Sequence, residues 1–248
     1  MSRWLFDLGN SRLKCAPLQD DGRVGEVQAL GHDESRFVAS LDRLLPARGH
    51  CAWLASVAAP ALTMAVLEAL AARFDRIVVA RSQARLGGLR IAYPQPQTLG
   101  VDRFLALLAA HARAATHGAP SLVVGVGTAL TIDLLDPAGA HRGGRIAPSP
   151  ALMRRALHQA AEQLPADGGG YREFADATPD ALVSGCEGAA VALVERSLYE
   201  GQRALGARPL LLLHGGGAES LRDHFPQPVW EPSLVLQGLA EWARLTAR

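Results

Sequence analysis

The sequence predicts an α/β protein that consists of two related halves. Short apolar strands alternate with alanine-rich helical segments along its 248 residues, which is the pattern of repeated strand-helix-strand units. Gly118-Ala-Pro120 interrupts the chain near its middle, and the strand-turn-strand unit after it resembles the unit at the start. We therefore predict two domains, residues 1–118 and residues 119–248.

The first half begins with a predicted hairpin. An apolar strand at residues 4–8 is followed by the turn Gly9-Asn10-Ser11 and by a returning strand at residues 12–18. The later elements of this half are predicted as a strand at 51–57, a helix at 61–73, a strand at 76–80 and a helix at 102–116.

The second half begins with a similar hairpin. Aligning Gly9 with Gly127 places an apolar strand on each side of both glycines, and further strands are predicted at 130–135 and 142–146. Two hairpins that face each other across a cleft could hold one polyphosphate between them. Spacing alone leaves open whether the chain is duplicated or contains two unrelated hairpins.

Composition excludes several functional classes. Apolar residues make up 49% and charged residues 20% of the chain, and the net charge is +1, so we expect a globular protein without a nucleic-acid surface. The three cysteines form no CxxC pair, which fits a reducing compartment better than a disulfide framework or a zinc site. Neither a signal peptide nor a membrane-spanning run is recognisable. We expect a cytoplasmic protein that binds no membrane.

The hairpin tips are the candidates for phosphate binding. The chain has no Walker A motif, and the segment from Gly125 to Leu130 lacks the third glycine of a dinucleotide fingerprint. Glycine at Gly9 and Gly127 lets backbone N–H groups approach phosphate oxygens. Asp7 beside the first tip is a hard oxygen ligand that suits Mg²⁺.

Lys14 supports this interpretation. It is the only lysine, since 24 of the 25 basic residues are arginine. A compact ammonium suits phosphate binding in a way that a planar guanidinium does not. A surface lysine without a function is the alternative.

Four motifs give the chain a specific resemblance, and they occur in the order and at the spacing of type III pantothenate kinases. They are Asp7-Leu-Gly-Asn-Ser-Arg-Leu-Lys14, Gly100-Val-Asp-Arg103, Gly127-Thr-Ala-Leu-Thr-Ile-Asp133 and Gly143-Gly-Arg-Ile-Ala-Pro148. The resemblance implies two ribonuclease H-like domains of the actin, sugar kinase and Hsp70 superfamily (ASKHA) with an inter-domain cleft. It also implies a homodimer that uses ATP and Mg²⁺ to phosphorylate pantothenate in the first step of coenzyme A biosynthesis.

The resemblance also implies a role for each matching residue. Asp7 would hold Mg²⁺, directly or through water, and Asp102 would be the general base for the substrate hydroxyl. The residues implied to bind nucleotide phosphates are Asp7, Gly9, Asn10, Ser11, Lys14, Gly127 and Thr128. The residues implied to bind pantothenate are Tyr93, Gly100, Asp102, Arg103 and Thr178, with Arg103 on the carboxylate.

Structural interpretations remain open for two of these residues. Asp102 could be an acidic residue in the first turn of a helix, where it would interact favourably with the helix dipole. Thr178 could be an N-cap, because Pro179 follows it and suits the first helical position.

Two positions depart from the family pattern. Gly125 stands where the family carries an aspartate of its monovalent cation site, so we expect a modified or absent requirement for K⁺ or NH₄⁺. Ser149 stands where the family has glycine, which could alter the loop after Pro148.

Two other functions remain open. A non-catalytic or dual-role transcriptional accessory protein of the same family is one alternative. A kinase for another small hydroxy acid is the other, because Arg103 would read a carboxylate and not the whole substrate.

Overall fold

The chain divides into two compact units in a computed structural model that describes residues 2–31 and 37–247. Unit 1 contains Met1–Arg113, Ala138–Ala140 and Ser233–Arg248, and unit 2 contains Ala114–Pro137 and His141–Pro232. The predicted domain boundary, which separates residues 1–118 from residues 119–248 of the sequence, stays a prediction.

Strands and helices alternate as the sequence predicts. The strands are β1 (Arg3–Leu8), β2 (Arg12–Pro17), β3 (Gln28–Gly31), β4 (Gly49–Ser56), β5 (Phe74–Val79), β6 (Arg85–Leu86), β7 (Leu89–Arg90), β8 (Ser121–Val126), β9 (Ala129–Leu135), β10 (His141–Pro148), β11 (Leu210–His214) and β12 (Val229–Trp230). The helices are α1 (Phe37–Leu44), α2 (Pro60–Ala71), α3 (Val101–His117), α4 (Pro150–Ala160), α5 (Thr178–Leu205), α6 (Ala218–Arg222) and α7 (Leu234–Thr246), with a 3-10 turn at Pro96–Thr98.

The two five-stranded sheets have the same topology. Their strand orders are β3-β2-β1-β4-β5 in unit 1 and β10-β9-β8-β11-β12 in unit 2. In each sheet the first three strands in sequence pair antiparallel, and the fourth and fifth strands are parallel to the first. Two unrelated hairpins would not bring the same strand order with them. The predicted α/β fold of two related halves is confirmed.

Helices cover the apolar faces of each sheet. In unit 1, Phe6 of β1 meets Phe74 of β5 edge to face, with ring centroids 5.9 Å apart. Helix α7 packs against β1, β2 and β4. It also approaches α3 so closely that a Cβ at Gly238 would overlap the carbonyl of Leu105. In unit 2, Ala190 and Val194 of α5 join the core beneath β8 and β9.

The sequence predicted no membrane-spanning segment, and the hydropathy of the helices can be compared with that expectation. No helix within the described part of the chain combines the length and the apolar character needed to cross a membrane.

Candidate active site

The first hairpin places Asp7 and Lys14 side by side. Gly9 closes the turn by donating its backbone N–H to the carbonyl of Arg12, at 3.0 Å. This turn sets the register in which Asp7 of β1 lies opposite Lys14 of β2. Asn10 and Ser11 occupy the exposed tip, where their polar groups are accessible to a ligand.

Asp7 is a strongly perturbed carboxyl. Its pKa is raised from the ordinary 3.8 to about 7, mainly by burial and further by the nearby charge of Asp102, while the charge of Lys14 lowers it. The residue as a whole is half-buried, but the protein atoms around its carboxyl remove most of the hydration. Such a carboxylate would be stabilised by an added cation.

Lys14 is perturbed in the opposite direction. Burial lowers its pKa, the charge of Asp7 raises it, and the charge of Arg12 lowers it. The ammonium group of a surface lysine without a function would remain fully hydrated. The partly desolvated ammonium beside Asp7 therefore fits the functional interpretation better.

Asp102 lies in the first turn of α3, as its structural interpretation predicts. Its Oδ1 accepts a hydrogen bond from the backbone N–H of Arg103 at 2.8 Å. A Cβ at Gly100 would lie 2.6 Å from Oδ1 of Asp102, so a larger residue there would displace this carboxylate. Since Asp102 also raises the pKa of Asp7, the two carboxyls lie near each other. A helix-terminal role alone does not account for that proximity.

Arg103 forms a buried cationic position next to Asp102. The residue is only 6% exposed, and its Nη1 donates to the hydroxyl of Tyr93 at 3.3 Å. A guanidinium that has lost most of its hydration interacts strongly with a carboxylate, often through two parallel hydrogen bonds. Tyr93 and Arg103 therefore form a suitable site for the acid group of a small substrate.

The second hairpin has an anchor that the sequence did not identify as functional. Gly127 closes its turn by donating to the carbonyl of Ala129 at 2.9 Å. The hydroxyl of Ser149 donates to the carbonyl of Thr128 at 2.9 Å, and the same oxygen caps α4 by accepting from Leu152 N–H at 3.3 Å. Ser149 thus holds the Thr128 tip to the start of a helix. The Ser-Pro pair, an N-cap before a proline, was the signal available for it.

Gly125 faces two polar side chains. It lies between Thr131 of β9 and His214 of β11 in the sheet register. A Cβ at this position would lie 2.7 Å from Oγ1 of Thr131 and 2.8 Å from Nε2 of His214. No larger residue fits here unless those side chains move.

Thr178 is the first residue of α5, and Ala177 occupies the N-cap position without a side-chain cap. The alternative that Thr178 is an N-cap is therefore wrong. The exposed residue lines an open cavity of about 440 Å³ in unit 2, together with Leu164 and Asp176.

The predicted residues are distributed over the two units. Unit 1 holds nine of them, namely Asp7, Gly9, Asn10, Ser11, Lys14, Tyr93, Gly100, Asp102 and Arg103, and unit 2 holds Gly127, Thr128 and Thr178. Among residues 2–31 and 37–247, no group of three or more histidine, cysteine, aspartate or glutamate side chains could hold a metal by itself. A magnesium ion held by one carboxylate, water and phosphate oxygens needs no such group.

The matching sequence profile and the sequence relatives carry the same family description. The sequence profile of the type III pantothenate kinase family matches residues 4–200. A type III pantothenate kinase of Stenotrophomonas maltophilia (strain K279a) is 57% identical over 243 residues, which cover 98% of each chain. A type III pantothenate kinase of Xylella fastidiosa (strain M23) is 55% identical over 247 residues, which cover 100% of this chain and 99% of the relative.

Solved structures support the fold alone. A Campylobacter jejuni protein assigned to the Baf family of transcriptional activators is 19% identical, with a TM-score of 0.62 and 97% coverage of both chains. A Sinorhizobium meliloti protein assigned as a 2-dehydro-3-deoxygalactonokinase is 15% identical, with a TM-score of 0.62 and coverage of 98% of this chain and 96% of that chain. The predicted ASKHA fold is confirmed.

Proposed function

The chain belongs to the type III pantothenate kinase family, and from this we propose that it transfers the γ-phosphoryl group of ATP to pantothenate. This reaction is the first step of coenzyme A biosynthesis. The observation that carries the proposal is the proximity of Asp7 and Asp102, two carboxyls that suit the two separate needs of a kinase site. One carboxyl serves the metal of the nucleotide, and the other serves the hydroxyl that attacks.

Asp7 is the proposed residue for Mg²⁺. Its carboxyl is desolvated and lies near a second negative charge, so a divalent cation would relieve an unfavourable charge there. Mg²⁺ held there would help to neutralise the negative charge that develops during phosphoryl transfer. Gly9, Asn10, Ser11 and Lys14 are proposed to position the phosphates from the first hairpin, since they share its tip and its second strand. Gly127 and Thr128 are proposed to bind phosphates from the second hairpin.

Asp102 is the proposed general base. As the pantothenate hydroxyl oxygen bonds to the γ-phosphorus, its proton passes to Asp102, the bond from that phosphorus to the β-phosphate oxygen breaks, and ADP leaves. Arg103 would hold the pantothenate carboxylate, with Tyr93 and Thr178 adding hydrogen bonds and Gly100 leaving space for Asp102. Most of the catalysis then comes from positioning and charge stabilisation.

Replacing Lys14 with arginine is expected to raise the KM for ATP roughly tenfold, the effect of losing one hydrogen bond to a charged group. The positive charge is kept, but the broader guanidinium cannot occupy the place of a point charge beside Asp7. Steady-state kinetics with varied ATP would measure the change. Arg12→Lys in the same strand is the matched control, because Arg12 is exposed. If the ATP kinetics of Lys14→Arg were unchanged, Lys14 would be a surface lysine without a role in ATP binding.

Turnover is expected to persist without K⁺ or NH₄⁺. The space next to Gly125 is occupied by Thr131 and His214, and no carboxylate is present at this position to bind a monovalent cation. Rates measured in K⁺, NH₄⁺, Na⁺ and choline chloride at equal ionic strength should agree within a few-fold. Loss of activity in the absence of K⁺ and NH₄⁺ would contradict this expectation.

The remaining expectations follow from the family alone. A homodimer and a cytoplasmic location stay predictions. A transcriptional accessory protein is not favoured, because the sequence relatives are type III pantothenate kinases and the likeness to a Baf family activator, at 19% identity, concerns the fold. A kinase for another small hydroxy acid is the second alternative, since Arg103 offers recognition of the carboxylate only.

An ADP-release assay separates these functions. Purified protein with ATP and Mg²⁺ should release ADP when pantothenate is added, in a one-to-one ratio with phosphopantothenate identified by mass spectrometry. An analogue in which an alcohol replaces the carboxylate should react poorly, because Arg103 loses its partner. Turnover of another hydroxy acid in place of pantothenate would favour the alternative function, a kinase for that acid. If the protein neither bound nor turned over pantothenate, the transcriptional accessory function would be the remaining explanation.

A further inference from the structure

His214 occupies a distinctive place in unit 2. It ends β11, and its register partner on β8 is Gly125. Its Nε2 and Oγ1 of Thr131 would lie 2.8 and 2.7 Å from a Cβ at Gly125. The imidazole and the hydroxyl therefore converge from two neighbouring strands over the one residue between them that has no side chain.

The repeated topology gives this place a counterpart in unit 1. Asp7 corresponds to Gly125, because each lies two residues before its hairpin glycine on the first strand of its sheet. Lys14 and Ala55 are the register neighbours of Asp7, as Thr131 and His214 are those of Gly125. At this register position, unit 1 thus has ionisable side chains on its first and second strands. Unit 2 has none on the first strand and carries an imidazole on the fourth.

Backbone contacts hold the loop after His214 beside the second hairpin. The N–H of Gly217 donates to the carbonyl of Val126 at 2.9 Å. Gly215 has φ +93°, and a Cβ there would overlap the same carbonyl. The loop that follows His214 is thus held against the residue that immediately precedes Gly127 and Thr128. Gly215 is required there by the close approach of the two backbones.

We propose that His214 binds the phosphate chain of the nucleotide, with its imidazole N–H donating to a phosphate oxygen beside the Gly127-Thr128 tip. This inference rests on the proposed kinase function, and it assigns a phosphate contact to the residue that precedes the run Gly215-Gly216-Gly217. An imidazole donor is suited to the task because it hydrogen-bonds a phosphate oxygen when neutral and adds a positive charge when protonated. The glycine at position 125 leaves room for the ring.

Two substitutions separate binding from space filling. His214→Leu keeps apolar bulk over Gly125 and removes the N–H, whereas His214→Gln keeps an N–H donor. Calorimetric titration of each variant with Mg²⁺ and a non-hydrolysable ATP analogue, and separately with pantothenate, measures the two affinities. His224→Leu is the matched control, because His224 is a partly buried histidine of the same unit that meets the ring of Tyr171 edge to face.

His214→Leu is expected to weaken nucleotide binding about 10- to 100-fold, the effect of losing a hydrogen bond to a charged group. His214→Gln should lose less, and pantothenate affinity should stay within about twofold in both variants. His224→Leu should match the unaltered protein. A nucleotide affinity of His214→Leu within twofold of the unaltered protein would overturn the inference, as would an equal loss for both ligands.

A measurement on the unaltered protein covers the case in which these variants do not fold. The imidazole resonances of His214 should shift when Mg²⁺ and ADP are added, and their indifference would overturn the inference. The kinase proposal is judged separately by phosphopantothenate formation. A protein that binds ATP through His214 but leaves pantothenate unchanged would refute that proposal and not this one.

Discussion

Replacing Asp102 with asparagine is expected to lower kcat for pantothenate phosphorylation by roughly 10²- to 10⁴-fold, the usual contribution of a positioned general base. Asparagine keeps the shape of the side chain and an Oδ1 that can accept from the backbone N–H of Arg103, as Asp102 does at 2.8 Å. It cannot accept the proton of the substrate hydroxyl at neutral pH. The ADP-release assay at saturating ATP and pantothenate would measure the loss.

Thermal unfolding provides the control for the structural interpretation of Asp102. If its only role were to interact with the dipole of α3, Asp102→Asn would lower Tm slightly and leave kcat unchanged. Asp42→Asn is the matched substitution, because Asp42 is an exposed carboxylate of the same unit that pairs with Arg73 at 3.1 Å. Its kcat should equal that of the unaltered protein. An unchanged kcat in Asp102→Asn would remove Asp102 from the mechanism.

Replacing Asp7 with asparagine is expected to have opposite effects on activity and stability. Between pH 3.8 and about 7 the folded carboxyl holds a proton that the unfolded chain has released, so folding loses stability as the pH rises through this window. Above pH 7 the full cost of the buried charge is present, at most about 4 kcal/mol. Asparagine removes that cost. The ligand-free variant should therefore have the higher Tm at pH 8, by about 2–4 °C per kcal/mol.

The pH dependence distinguishes this effect from a general improvement in packing. The gain in Tm should shrink as the pH falls from 7 towards 4, because Asp7 is then neutral in the folded protein. Calorimetric scans at pH 8 and pH 4.5 without Mg²⁺ would measure the two differences, and equal gains would contradict the assignment. At pH 8, ATP with Mg²⁺ should raise the Tm of the unaltered protein much more than that of Asp7→Asn. Turnover of the variant should be nearly abolished.

Much of the fold could be predicted because its signals are local. Apolar strands next to glycine turns predicted β1, β2 and β9 within one residue of their observed ends. Strand β3 was missed because its residues Gln28–Gly31 are exposed or only half-buried, so no apolar alternation marks them. The sheet that α7 covers could not be inferred, because its contacts with β1 join residues from opposite ends of the chain.

The site was predictable only where its residues lie in recognisable motifs. The spacing of Asp7, Lys14 and Asp102 singled them out, but nothing in the sequence measures the charge interaction between Asp7 and Asp102. The roles of Ser149 and His214 depend on contacts between distant strands and loops. For the same reason, a glycine at position 125 could be recognised as unusual from the sequence, while the imidazole that takes its space could not.

A crystal structure with a non-hydrolysable ATP analogue, Mg²⁺ and pantothenate tests the central claim that two neighbouring carboxyls divide the metal and base roles. The account predicts Mg²⁺ bound to Asp7 directly or through one water. It also predicts the reactive hydroxyl of pantothenate within about 3.2 Å of a carboxylate oxygen of Asp102. A hydroxyl oriented away from Asp102, or a metal held without Asp7, would contradict it.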